Sequence, residues 1–113
     1  MSRKAKIFCN GIYSGILEEA VTSEKEIEYR FSYDSEYLAD AAFPPISLTF
    51  PKTGKIFSSP IFFPFFYGLL AEGRIKELQC RNLKIDESDH FGRLLKTARE
   101  DCIGAITVKE DIS

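Results

Sequence analysis

The sequence has no tryptophan, one histidine and one methionine, and its three cysteines lie far apart at Cys9, Cys80 and Cys102. An odd, widely spaced set offers no disulfide framework, and without a Cys-x-x-Cys pair it suggests neither a zinc site nor a dithiol redox site. Reduced, mostly buried thiols are expected. Long apolar runs are also missing. The greasiest stretch, IFFPFFYGLLA, is about half the ~20 residues a membrane-spanning helix needs, and Pro64 interrupts it. The opening MSRKAKIF turns directly from charge into a strand pattern and lacks the apolar segment of a signal peptide. These absences predict a soluble, cytoplasmic protein that does not engage a membrane. Charge of one sign is not concentrated anywhere: 15 Lys and Arg face 17 Asp and Glu, for a net charge of −2. No basic stripe stands out, which argues against direct nucleic-acid binding, because neutralising phosphates takes clustered cations.

What the chain does have is aromatic bulk. Ten Phe and five Tyr within 113 residues, 44% of them hydrophobic, can build a core without metal or disulfide. One domain spanning 1–113 is expected. Asn10-Gly11 between two apolar-patterned segments predicts a β-hairpin, with Cys9 opposite Ile12 and Phe8 opposite Tyr13. In EIEYRFSY, Ile27, Tyr29, Phe31 and Tyr33 alternate with Glu26, Glu28, Arg30 and Ser32, the signature of a half-buried strand. Asp34 or Ser35 is placed to cap a short helical turn through Tyr37 and Leu38. ISLTF alternates again and predicts a strand ended by Pro51, with PKTGK as a turn. Pro64 suits the first turn of a helix carrying Phe65, Phe66, Leu69 and Leu70, with Gly73 as its stop. A short helix through Ile75 and Leu78 follows. Ser88 is placed to cap a third helix with the apolar stripe Phe91, Leu94, Leu95 and Ala98, and Arg93, Lys96 and Arg99 off that stripe. CIGAITV then reads as a buried closing strand, where Gly104 marks a bulge or close approach. Strands first and helices later predict an α+β domain: a small, curled, mainly antiparallel sheet of about five strands packed with two to three helices.

Chemistry-bearing motifs are sparse. No phosphate-binding glycine loop, catalytic-loop motif or metal-binding Asp motif occurs, and His90 has no argued partner, so it reads as an exposed residue at a helix start. No catalytic residue, metal or cofactor is expected. Asp101 beside Cys102 raises the alternative of a thiol-dependent enzyme. Yet Asp there suits the turn between helix and strand, and a thiol entering an apolar run stays protonated. In IFFPFFYGLL one buried stripe does not hold every ring. Phe62, Phe63 and Tyr67 are therefore the candidates for a partner-binding surface.

Four segments in order resemble one family. FCNGIYSGIL resembles the opening hairpin of the HipA-type kinase N-terminal domain, where a strand, an Asn-Gly-like turn and a Gly-x-Leu recur. YDSEYLAD with PISLTFP resembles its Tyr-x-x-x-Tyr-Leu segment and following strand. FFYGLLAEG resembles its F-x-N-LLPEG helix end, with Ala71 in place of Pro, and DHFGRLLKTAREDCIGAITV resembles its ending, with Arg99 in place of Gly. The resemblance spans nearly the whole chain and covers the subdomain that precedes a Ser/Thr kinase core. It implies a free-standing, HipS-like antitoxin that is not itself an enzyme. Its implied partner is a HipT/HipA-like Ser/Thr kinase, and a HipB-like helix-turn-helix protein is the further member of a ternary complex. The alternative implied by the same interface is an accessory subunit that completes or activates a split HipA-like kinase.

Overall fold

Asn10 and Gly11 both adopt positive φ, 53° and 80°. That is the conformation a two-residue hairpin turn requires. A computed structural model, describing residues 3–70, 73–97 and 106–111, accordingly joins β1 (Arg3–Cys9) to β2 (Ile12–Val21) there. Cys9 opposes Ile12 and Phe8 opposes Tyr13, in the predicted register. One step on, Ile7 pairs with Gly15, so Ser14 is an extra residue and the strand bulges. Ser14 is fully buried, its Oγ donating to the Ile12 carbonyl at 2.9 Å and its own carbonyl accepting from the Asp34 N–H at 2.8 Å.

Antiparallel β3 (Ile27–Tyr33) pairs with β2 and turns Phe31 and Tyr33 into the core. Asp34 caps α1 (Ser35–Ala39), its carboxylate accepting from the Glu36 and Tyr37 N–H groups. Then follow β4 (Phe57–Ser59), α2 (Pro64–Tyr67), α3 (Gly73–Leu83), α4 (His90–Thr97) and β5 (Ile106–Glu110). The sheet order is β4-β3-β2-β1-β5, with every neighbouring pair antiparallel. Alternate residues Ala5, Ile7, Leu17, Phe31 and Val108 form one core with Phe66 of α2 and with Phe91, Leu94 and Leu95 of α4. The α+β expectation holds, as does the return of the last strand, which docks beside β1.

Several local expectations need correction. ISLTF is a turn rather than a strand: Ser47 and Phe50 bridge each other, Ile46 and Phe50 are buried, and Leu48 stands 98% exposed at the tip. Tyr33 decides this, because its hydroxyl accepts from the Ile46 N–H at 3.0 Å and donates to the Phe50 carbonyl. The fourth strand is Phe57–Ser59, three residues too short to show a period. Gly73 does not end the aromatic helix but opens α3; α2 stops at Tyr67, and Leu69 and Leu70 continue in tight turns. Asp89, not Ser88, caps α4, accepting from the Gly92 N–H at 3.1 Å, while Ser88 bonds back to Asp86. Arg93, expected away from the apolar stripe, is 2% exposed. Cys9 and Cys80 are free and buried. Cys102, Asp101, Gly104, Ala98 and Arg99 lie outside the described residues.

Tyr33→Phe removes one donor and one acceptor from that buried turn and is expected to cost about 1–3 kcal/mol, because Ile46 and Phe50 each lose a bond. Urea denaturation measures it, with Tyr67→Phe as a milder control.

Candidate protein-interaction site

The aromatic stretch after β4 is pinned from both sides. Pro60 and Ile61 carry the chain off the sheet, with the Ile61 N–H donating to Ser59 Oγ at 3.1 Å. The next two rings turn inward: Phe62 is 8% and Phe63 7% exposed. Phe62 meets Tyr29 edge-on at 5.2 Å and reaches Phe91 at 6.5 Å. Phe63 packs edge-on against Phe50 at 5.1 Å. The expected ridge of exposed Phe62 and Phe63 is therefore corrected, since sheet and α4 supply a second wall that one helical stripe does not reveal. Tyr67 stays half-buried.

Three exposed apolar groups lie alongside. Ile61 is 66% and Ile27 48% exposed, and Val21, directly opposite Ile27, is exposed too. With Tyr29, Pro60, Phe62, Tyr67 and His90 the two isoleucines line an open groove of about 400 Å³. Phe63 instead lines a separate hollow of about 210 Å³ with Phe50, Phe57, Pro64 and Phe65. Of the three predicted partner-binding rings, Phe62 and Tyr67 thus share one groove and Phe63 does not. Ile27 and Ile61 were missed; the one signal was that Ile27 ends its strand, where an inward residue runs out of core to cover it.

His90 is not the exposed residue expected. Its ring lies 5.0 Å from Tyr67, edge to face, and 5.9 Å from Phe62, and its Nδ1 is buried. Burial, reinforced by the charges of Arg93 and Lys76, pushes its pKa below the usual imidazole value. Burial and then Glu19 push Tyr29 up to about 12. At neutral pH both groups are uncharged, so the groove wall is aromatic and neutral. Its position is set by Arg3, which ties the start of β1 to the start of α4. The guanidinium donates to both Asp89 oxygens, at 3.1 and 2.8 Å, and to Glu19 at 2.8 Å, and lies 5.1 Å from the Phe91 ring centroid. The Arg3 hydrogen bond is the main reason that the Asp89 carboxyl titrates below its ordinary range, against burial.

This lining offers apolar contact, two phenols and a neutral imidazole, and no thiol or carboxylate. Among the described residues no three His, Cys, Asp or Glu side chains come together as a metal-ligand set. No helix among them is long and apolar enough to cross a membrane.

The profile of the HipA N-terminal domain family matches residues 5–109. The chain belongs to that family. An uncharacterized protein of Haemophilus influenzae is 34% identical over 109 residues, covering 96% of this chain and 93% of the relative. A solved structure described as the N-terminal domain of HipA toxin superposes with a TM-score of 0.69 at 32% identity, covering 96% of this chain and 92% of that one. The fold is thus the HipA N-terminal domain fold, a five-stranded antiparallel sheet with short helices. The matched region is this domain and not a kinase domain, and it sets the chain among HipA-related proteins.

Proposed function

We propose that this HipA N-terminal domain is a non-catalytic antitoxin of the cytoplasm that binds and neutralises a HipT/HipA-like Ser/Thr kinase. The observation that carries this reading is the Ile27–Ile61 groove. It is an aromatic-walled, charge-free surface left open on a domain whose solved relative is part of a toxin. Phe62 and Tyr67 supply the wall against which the partner packs, and Phe63 holds the segment from behind. Covering the groove recovers roughly 25 cal/mol per Å² of apolar surface, less the entropy of association. Docking beside the nucleotide cleft keeps the kinase lobes from closing around ATP and Mg²⁺. A HipB-like helix-turn-helix protein completes a ternary complex.

Ile27→Asp combined with Ile61→Asp tests it. Both side chains are exposed, so the circular dichroism spectrum and melting temperature should hold. Affinity for the kinase by calorimetry should fall by about 100-fold, as for central interface residues. Unchanged affinity would remove the groove from the interface. Autophosphorylation in the mixture should fall; a rise would identify an activating subunit instead.

A further inference from the structure

Antiparallel pairing gathers residues remote in sequence onto the sheet face turned away from the core. Lys6 of β1 stands directly opposite Lys109 of β5, and Lys4 follows on the same face of β1. All three are exposed, and none takes part in an ion pair among the described residues. Like charges directly opposite destabilise a strand pair, so the fold bears a cost here that an uncharged partner would avoid. Beside them is an aromatic pair. Phe8 and Tyr13 lie 5.7 Å apart, and Lys109 Nζ is 5.3 Å from the Phe8 ring centroid. Arg30 engages Glu18 and Glu28 of this face, at 3.7 and 3.1 Å. Glu18 also stands directly opposite Lys4, and the Asp111 N–H donates to the Lys4 carbonyl, which leaves Lys6 and Lys109 as the pair without an acidic residue opposite.

We propose that this face is a second docking surface, which receives an acidic segment of a partner protein. Its carboxylates lie on Lys6 and Lys109, and an apolar or aromatic side chain lies on the Phe8–Tyr13 pair. A nucleic-acid strand fits less well, because the cations form a short patch. Glu18 and Glu28 stand beside it on β2 and β3, and the charges of Asp34 and Asp111 are felt at Tyr13. A longer polyanion meets those carboxylates, whereas a segment with a few of its own stays within the patch. Tyr29 and Ile27 point to the other side of the sheet, so this surface and the groove can be occupied together, and one can fail without the other.

The test is a titration of the full chain, followed by NMR at physiological ionic strength, with a capped peptide of alternating glutamate and tyrosine. Its glutamine counterpart and a short single-stranded oligonucleotide serve as comparisons. The glutamate peptide should shift amide resonances of β1 and β5. The double variant Lys6→Gln, Lys109→Gln should weaken it by about tenfold while raising the melting temperature, because the like-charge pair is relieved. Lys109→Glu should weaken binding further. Equal binding of the glutamine peptide, unchanged affinity in the variants, or tighter binding of the oligonucleotide would overturn the proposal.

Discussion

Gly15→Ala is expected to destabilise the protein by about 3 kcal/mol or more, the upper range for forcing atoms into a packed interior. A Cβ at this position overlaps the Ser32 backbone carbonyl and lies 3.1 Å from two carbons of the Phe31 ring. Ser32 belongs to β3, hydrogen-bonded to β2, so that oxygen cannot swing aside as a flexible side chain can. The whole β2–β3 pair must separate. In a domain of this size total stability is only about 5–15 kcal/mol, so the variant should melt far earlier or accumulate unfolded. Gly54→Ala is the matched control, with no atom within 4 Å of the added carbon and no positive φ. Thermal denaturation of the two proteins side by side separates close packing from any general effect of replacing glycine. A Gly15→Ala protein as stable as the parent would show that the strands are not so tightly apposed.

The second large effect is expected at Phe31, the ring around which the core is organised. It is fully buried, with the rings of Tyr33, Phe50, Phe57 and Phe66 at centroid distances between 5.0 and 6.4 Å. These neighbours come from β3, β4, α2 and the turn after α1, so no single element can move in to fill the void. Phe31→Ala should therefore cost about 3–5 kcal/mol, the range for truncating a buried aromatic where collapse is incomplete. Phe31→Leu keeps most of the volume and should cost clearly less. Equilibrium unfolding in urea checks both. Equal losses for the two variants would mean that the surrounding rings relax freely.

Local rules made the first third of the chain legible. The Asn10-Gly11 turn, the alternation of Ile27 to Tyr33 and the Asp34 cap all depend on neighbours a few residues away, and the structure shows each. The turn at Ser47–Phe50 was hidden because its pattern suits a strand equally well; only hydrogen bonds from Tyr33, remote in sequence, select the turn. Burial of Phe62 and Phe63 was hidden for a related reason. A helical stripe describes one wall, whereas these rings are enclosed by Tyr29 and Phe91 on one side and Phe50 on another. The groove follows the same logic, because Ile27 looks inward by period and is left open by its place at the strand end. Lys6 and Lys109 could not be paired by reading, since only the strand order brings them together.

The placement of β5 against β1 has a bearing on how the molecule is made. Cys9 must wait for Ile106, about a hundred residues downstream, and closing so long a segment carries an entropic cost that the first hairpin does not. On the ribosome, β1 to β3 can assemble early, while one flank of β1 stays unpaired until β5 has been translated. During that interval the nascent sheet offers a bare margin that other polypeptides can capture.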